Sequence, residues 1–374
     1  MMVPGTRHRF DVPSLTAPAV AGFAALVVGV AAWGFVSTRS NLSVQAPYYT
    51  PSANMSRMTS IAYVAPGERQ DVIYIRSREQ GAAAQQLISF PSAFNLHARG
   101  TASPAGDSLG IVTLSGNSAA RASLTFITLP GKEIIVAGSP FDYLTEVVWA
   151  PDGGFVAGQL SSLPDSAGRV HVDILQANAA TGSVATLAQF EDVLIASPIG
   201  YSPDGARLFV VTVDQSGSWL WTVGLSGQHK LGRLSTGRTR DWRLSPDGAR
   251  VAYIDSPVGD RSYSGRVFVL ATGSVRTAQQ GTEQIGATWR PGSAVPDFGG
   301  PGGSLQLDPP PSTGSYVVPI EWSPDGLVLV ATVLTAGNDP SDPPTVSMEL
   351  VSASHRSLLS EAPGARFLGW VASE

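Results

Sequence analysis

The chain contains no cysteine, so neither a disulfide nor a thiolate nucleophile or ligand enters its chemistry. Lysine is nearly missing too: of 24 basic residues only Lys132 and Lys230 are lysine. Charged residues make up 14% of the 374 positions and the formal net charge is −5, which leaves no global basic field for nucleic acid. The five histidines, His8, His97, His171, His229 and His355, show neither H-x-x-x-H nor H-E-x-x-H spacing, so no local metal motif is present. No G-x-x-x-x-G-K-[ST] phosphate loop occurs. Long helical periodicities are scarce after the first segment. Abundant instead are glycine (40) and proline (28), which favours an all-β chain rich in tight turns.

The exception to this composition is Ala19 to Val36, AVAGFAALVVGVAAWGFV, which carries no charge. As a helix these residues span roughly 27 Å, close to a hydrocarbon core. Its eight strongest apolar residues favour insertion by roughly 3 kcal/mol together. Arg7 and Arg9 precede it and Arg39 follows, which places residues 1–18 in the cytoplasm and exports the remainder. A cleaved signal peptide is the rival, but Pro47 directly follows the small-residue site at Ser43-Val44-Gln45-Ala46 and disfavours cleavage there. The segment is therefore expected to be an uncleaved transmembrane helix at 19–36. Ala21, Ala25 and Gly29 share one face of it and are candidates for packing against another helix; plain Ala/Gly richness is the alternative. Residues 37–59 are polar, contain proline, lack a period, and read as a linker.

From about residue 60 the chain repeats itself. Tyr201-Ser202-Pro203-Asp204-Gly205, Trp149-Ala150-Pro151-Asp152-Gly153, Leu244-Ser245-Pro246-Asp247-Gly248 and Trp322-Ser323-Pro324-Asp325-Gly326 are each followed by a short apolar strand. Ala102-Ser103-Pro104-Ala105-Gly106 and Trp289-Arg290-Pro291-Gly292 are worn copies. Proline presets φ at the second turn position, aspartate bonds nearby amides, and glycine accepts a left-handed backbone. The marker prolines Pro104, Pro151, Pro203, Pro246, Pro291 and Pro324 stand 47, 52, 43, 45 and 33 residues apart. A four-stranded blade takes about 40–50 residues. The spacing predicts six full blades; the short last interval, with its glycine- and proline-rich 291–315 stretch, holds either a truncated seventh blade or a long loop. The first copy lacks its first strand, and Ala365 to Val371 supplies it, so 60–374 should close as a ring.

These motifs resemble the TolB-type β-propeller, built from the Pro-Asp repeat related to WD repeats. The resemblance covers residues 60–374. It implies an interaction platform in a periplasmic or surface protein; the same fold also forms the non-catalytic gate of some peptidases. Unlike TolB, this chain shows an anchor and no evident folded domain ahead of the ring, so TolB's own partner does not carry over.

No catalytic or metal residues are expected, and no cofactor. Gly106-Asp107-Ser108-Leu109-Gly110 has the letters of a nucleophile elbow, but a strand rather than a helix follows it. Asp152, Asp204, Asp247 and Asp325 recur at one turn position and read as structural turn residues separated around a ring. The aromatics at the markers, Trp149, Tyr201, Trp289, Trp322 and Trp370, read as inter-blade packing. Two features break the repeat. One is the 291–315 stretch. The other is the basic run holding Lys230, Arg233, Arg238, Arg240 and Arg243, with a single acid, Asp241, among them. In an acidic chain it could meet phosphate, lipid headgroups or an acidic partner; a solvated blade edge is the plain alternative. The expectation is a non-enzymatic, membrane-anchored propeller, periplasmic or extracellular, that binds protein partners as an accessory subunit of a membrane assembly. Two alternatives remain: a ligand- or glycan-binding propeller or channel-site enzyme, and a sensory ectodomain. No nucleic-acid partner is expected.

Overall fold

The structure is a computed structural model. It describes residues 57–372, except 80, 93–95, 115–120, 130–132, 164–169, 257–261, 279–282, 301–304, 306–314, 337–343, 354, 361 and 363. The helix expected at 19–36, its face at Ala21, Ala25 and Gly29, and nearly all of the linker lie outside the described residues. Among the described residues no helix is long and apolar enough to cross a membrane.

The described chain is all-β, and its strands form six four-stranded antiparallel blades. Blade 1 contains β1 (Ser60–Ala65), β2 (Gln70–Ser77) and β3 (Gln85–Pro91), and blade 2 contains β4 (Arg99–Ala102), β5 (Ser108–Leu114), β6 (Arg121–Thr128) and β7 (Ile134–Val136). The short β8 (Phe141–Asp142) also pairs with β6. Blade 3 is β9 (Val148–Trp149), β10 (Phe155–Ser161), β11 (His171–Asn178) and β12 (Val184–Glu191). Blade 4 is β13 (Ile195–Tyr201), β14 (Arg207–Asp214), β15 (Gly217–Gly224) and β16 (Gly227–Ser235). Blade 5 is β17 (Arg238–Leu244), β18 (Arg250–Ser256), β19 (Ser264–Val269) and β20 (Ser274–Thr277). A two-stranded sheet follows, β21 (Ile285–Thr288) with β22 (Asp297–Gly299). Blade 6 is β23 (Ser315–Trp322), β24 (Val328–Thr335), β25 (Thr345–Ser352) and β26 (Arg356–Ser360). The chain then returns to blade 1, where β27 (Arg366–Val371) pairs with β1 from Ser60↔Val371 to Val64↔Arg366. Among the described residues, the stretch between blades 5 and 6 thus holds a two-stranded sheet.

First strands of successive sheets lie beside one another, β27 with β4, β9 with β13, β13 with β17, β17 with β21 and β21 with β23. They form the inner ring, and the fourth strands lie at the perimeter. Middle strands are buried on both faces by neighbouring blades, which explains apolar runs such as Leu208 to Val211 in β14. Alternation is lost because neither face meets water.

The marker motif works between blades as well as within them. Ser202 Oγ donates to Asp204 Oδ1 at 2.5 Å, Ala206 N–H donates to the same oxygen at 3.1 Å, and Gly205 N–H closes the turn on Ser202 O at 2.8 Å. Ser323 and Asp325 repeat the contact at 2.5 Å, and Ser245 and Asp247 repeat it too. In the worn copy Asp107, two positions later, takes the bond from Ser103 Oγ at 2.7 Å. At the second marker, where Ala150 stands in place of serine, Asp152 holds the backbone bond from Gly154 N–H at 2.9 Å. The marker aromatics reach back to the preceding sheet: Trp149 Nε1 donates to Thr101 O (3.2 Å), Trp289 Nε1 to Arg243 O (3.1 Å), and Trp322 Nε1 to Asp297 Oδ2 (2.9 Å).

The turn glycines also lean on the preceding blade. A Cβ on Gly248, whose φ is +66°, would stand 2.5 Å from Pro203 Cδ, whereas Gly153, at φ +72°, has open space around it. Both positions carry the left-handed cost of about 1–2 kcal/mol for alanine, but only Gly248 adds a clash. Gly248→Ala is therefore expected to destabilise by about 2–4 kcal/mol and Gly153→Ala by about 1. Urea-unfolding midpoints of the two variants check the difference.

Candidate functional site

The basic run does not form one surface. β16 is the outermost strand of blade 4 and β17 the innermost of blade 5, so the turn between them separates Lys230 and Arg233 from Arg238, Arg240 and Arg243 by the radial width of a blade.

On the perimeter, β15 contributes Trp219 and Trp221. Their i, i+2 spacing in a strand puts both indoles on one face. β16 returns opposite them, with Trp219 paired to Arg233 and Trp221 to Lys230, and two bulges place Leu231 and Leu234 out of register. The Lys230 ammonium lies 4.0 Å from the Trp219 ring centroid and 4.8 Å from that of Trp221, and the Arg233 guanidinium lies 5.2 Å from Trp219. The indole N–H groups are used inside the blade: Trp221 Nε1 donates to Thr212 Oγ1 (2.9 Å) and Trp219 Nε1 to Ser216 Oγ (3.2 Å). Phe190 of β12 meets Trp221 edge-on with centroids 5.3 Å apart. Arg233 donates to the carbonyls of Ser216 and, at 3.2 Å, Ser235. Among the described residues neither Lys230 nor Arg233 is ion-paired; Asp214 at the foot of the hairpin accepts from Ser216 Oγ (2.6 Å), Ser216 N–H (2.6 Å) and Gly217 N–H (3.1 Å), and no further carboxylate follows until Asp241. Leu225 at the hairpin tip is fully exposed and Leu231 partly so.

The inner cations have different company. Arg238 is exposed at the start of β17. Arg240 lies over the Tyr263 ring (5.2 Å) and 3.5 Å from Asp241 Oδ2. Asp241 holds φ +55° and accepts from Gly286 N–H at 3.0 Å. Arg243 Nη1 donates to Trp242 O at 2.8 Å. Bulges interrupt the inner strands of blades 1, 4, 5 and 6 and the short sheet shortly before the marker position, between Pro319 and Glu321 in β23 for example. Such bulges re-aim side chains. They leave charged groups in the wall of the ring. Glu321 is 7% exposed and its Oε2 has no hydrogen-bond partner. Burial pushes the Glu321 carboxyl well above the usual range, and the charge of Arg243 offsets this only in part. At the other end of the inner strands, burial and the nearby Arg366 pull the Arg99 guanidinium down, against Glu146 and Tyr143.

Glu321 gives a pH dependence with a definite sign. Its folded pKa lies above its unfolded value, so its contribution is full below the ordinary carboxyl range and is lost as pH rises through the raised value. Glu321→Gln copies the protonated form. The variant should match the parent near pH 4.5 and exceed it by about 1–3 kcal/mol at pH 8. Thermal midpoints across that range measure it; an equal or lower midpoint at pH 8 contradicts it.

The four motif aspartates sit at separate turns rather than converging. Hydrogen bonds from Ser202 and Ala206 N–H hold the Asp204 carboxyl below its usual range. Burial raises those of Asp247 and Asp325, but bonds from Ser245 and Arg250, and from Ser323 and Arg78, outweigh it and leave both below the usual range. Arg78 of blade 1 reaches Asp325 Oδ2 at 2.5 Å, a tie across the closure. Among the described residues no group of three or more His, Asp or Glu is placed to hold a metal. Sequence reading missed Trp219 and Trp221 as partners of Lys230, although their alternation was visible, and missed Glu321, whose one signal was a charge directly before a marker aromatic.

No family model and no curated protein matches the chain. Solved structures do. TolB from Acinetobacter baumannii superposes with a TM-score of 0.52 at 15% identity, covering 85% of this chain and 68% of that one. An oligogalacturonate lyase solved in complex with manganese gives 0.54 at 12%, covering 83% and 89%. An acylaminoacyl peptidase from Pyrococcus horikoshii gives 0.56 at 12%, covering 84% of this chain but only 54% of that one. At such identities the likeness extends to the fold alone, and that fold is a six-bladed β-propeller similar to the one in TolB.

Proposed function

We propose that this protein is a non-enzymatic, membrane-anchored propeller facing the periplasm or cell exterior, and that it binds protein partners as an accessory part of a membrane assembly. The observation that carries the reading is the perimeter of blade 4. There two indoles, two cations that make no ion pair among the described residues, and an exposed leucine share one outer hairpin in an otherwise acidic chain. Tryptophan and arginine dominate the energetics of protein interfaces. The uncharged stretch 19–36 supplies the anchor, which confines the search for partners to the membrane plane. TolB shares the fold. Mild crosslinking of the full chain in membranes, followed by detergent extraction, tests the reading: discrete heteromeric species are expected, and only free monomer under conditions that preserve complexes would overturn it.

A second reading, a ring that takes an anionic ligand at its axis, is favoured by Arg99 and Arg366, which approach from adjacent inner strands. One propeller of similar fold is an oligogalacturonate lyase. A galacturonate oligomer that raised the melting midpoint, while a neutral galactose oligomer did not, would favour this reading over the first.

A further inference from the structure

We infer that the ledge formed by Trp219, Trp221, Lys230 and Arg233 is a docking site for an acidic, extended segment of a partner protein. The inference rests on the platform reading above and deepens it. A lysine on an outer strand ordinarily guards the sheet edge by projecting into water. Lys230 instead folds back over two rings, 4.0 and 4.8 Å from their centroids, and Arg233 is fixed by two backbone carbonyls. Both long side chains are therefore ordered before any partner arrives, so the rotamer entropy that usually weakens surface ion pairs is already spent. Among the described residues neither cation makes an ion pair, and Asp214, the acid at the foot of the same hairpin, is taken up by Ser216 and the Gly217 N–H. Two held cations beside an apolar floor suit a segment that alternates acidic and apolar side chains, its carboxylates reaching Lys230 and Arg233 and its apolar groups meeting Leu231 and the indole edges.

A lipid surface fits less well. Recognition of anionic membranes takes clusters of about 4–8 basic residues, and β16 offers two with His229. Tryptophans that settle at a membrane interface keep their polar edge wet, whereas both indole N–H groups here are bonded within the blade. The bulges at Leu231 and Leu234 also interrupt the free backbone edge of β16, so side-chain docking, not addition of a fifth strand, is the geometry on offer.

The test uses the purified full chain in detergent and follows indole emission while a short synthetic peptide alternating glutamate with valine is added. Saturable change is expected at or below about 1 mM. The glutamine counterpart should give none. Binding should be weakened about tenfold or more in the Lys230→Glu, Arg233→Glu variant and should decline with salt. Lys230→Gln, which keeps the stem over the rings, should weaken binding, by less than the double reversal, with an unchanged melting midpoint, separating recognition from folding. No response at about 1 mM, equal binding by the charge-reversed variant, or response to phosphatidylserine vesicles without response to the peptide would each overturn the assignment, the last giving the ledge to a membrane surface. A co-purifying partner that persists in the charge-reversed variant would sink this inference while sparing the platform reading; absence of any partner would sink that reading itself.

Discussion

A chain ending at Gly364 should fail to form a native propeller. It lacks β27, in which Phe367, Leu368, Trp370 and Val371 are all at most 2% exposed. Burying a large apolar side chain contributes about 1.5–3 kcal/mol, so the four together represent about 8 kcal/mol, comparable with the whole stability of an ordinary domain. Truncation also exposes the full edge of β1, the unpaired template that a closed ring removes. It breaks a second tie as well, Ala372 N–H to Gly106 O at 2.9 Å, which fastens the last strand to the blade 2 turn. The expected outcome is loss of the cooperative unfolding transition and aggregation on expression, with partial rescue by a synthetic peptide spanning residues 365–374. Unaltered denaturant curves would show that the blades stand without closure.

Replacement of Trp149 by alanine should be the most damaging single change in the ring. Trp149 is fully buried, packs edge-on against Phe126 with centroids 5.7 Å apart, and bonds to Thr101 O in the neighbouring blade. It also closes over Gly110, where an added Cβ would stand 3.3 Å from the indole. Emptying that site costs about 3–5 kcal/mol. Trp149→Phe keeps most of the buried area and loses mainly the hydrogen bond, about 1 kcal/mol. Urea midpoints for the two variants should differ accordingly, and equal midpoints would contradict the wedge role.

Much of this architecture was legible because the repeat is written in residues with hard local chemistry. Proline, aspartate and glycine fix the turn, and the double-sided burial of middle strands leaves apolar runs such as Val328 to Ala331 that stand out in any window. The inner strands were harder to read. β17, Arg238 to Leu244, mixes arginine, threonine and aspartate because it borders the axis and is bulged, so its period is broken. β16 hid for a related reason: its exposure makes Gly227 to Ser235 resemble a polar loop. That is why one basic run in the sequence became two sites in space. The pairing of Lys230 with Trp219 and Trp221 depends on the register of a bulged hairpin, which spacing alone does not specify. The buried state of Glu321 depends on the neighbouring sheets that close over it.

A residue repeated in every blade serves the ring, so a specific role belongs where the repeat is broken. Blade 4 has such a break on its outer hairpin, and blades 5 and 6 have one along the axis at Arg243 and Glu321. The first is exposed and is the proposed partner contact; the second is enclosed and is expected to act on stability through pH.

The most direct measurement is site-resolved photocrosslinking in living cells. A photoreactive residue at Gln228, beside the ledge, is compared with one at Leu327, an exposed turn position in blade 6. The account predicts an adduct of discrete mass from Gln228 that disappears when Lys230 and Arg233 are reversed to glutamate, with none from Leu327. Adducts of equal yield at both positions, or an adduct at Gln228 indifferent to the reversal, would contradict it.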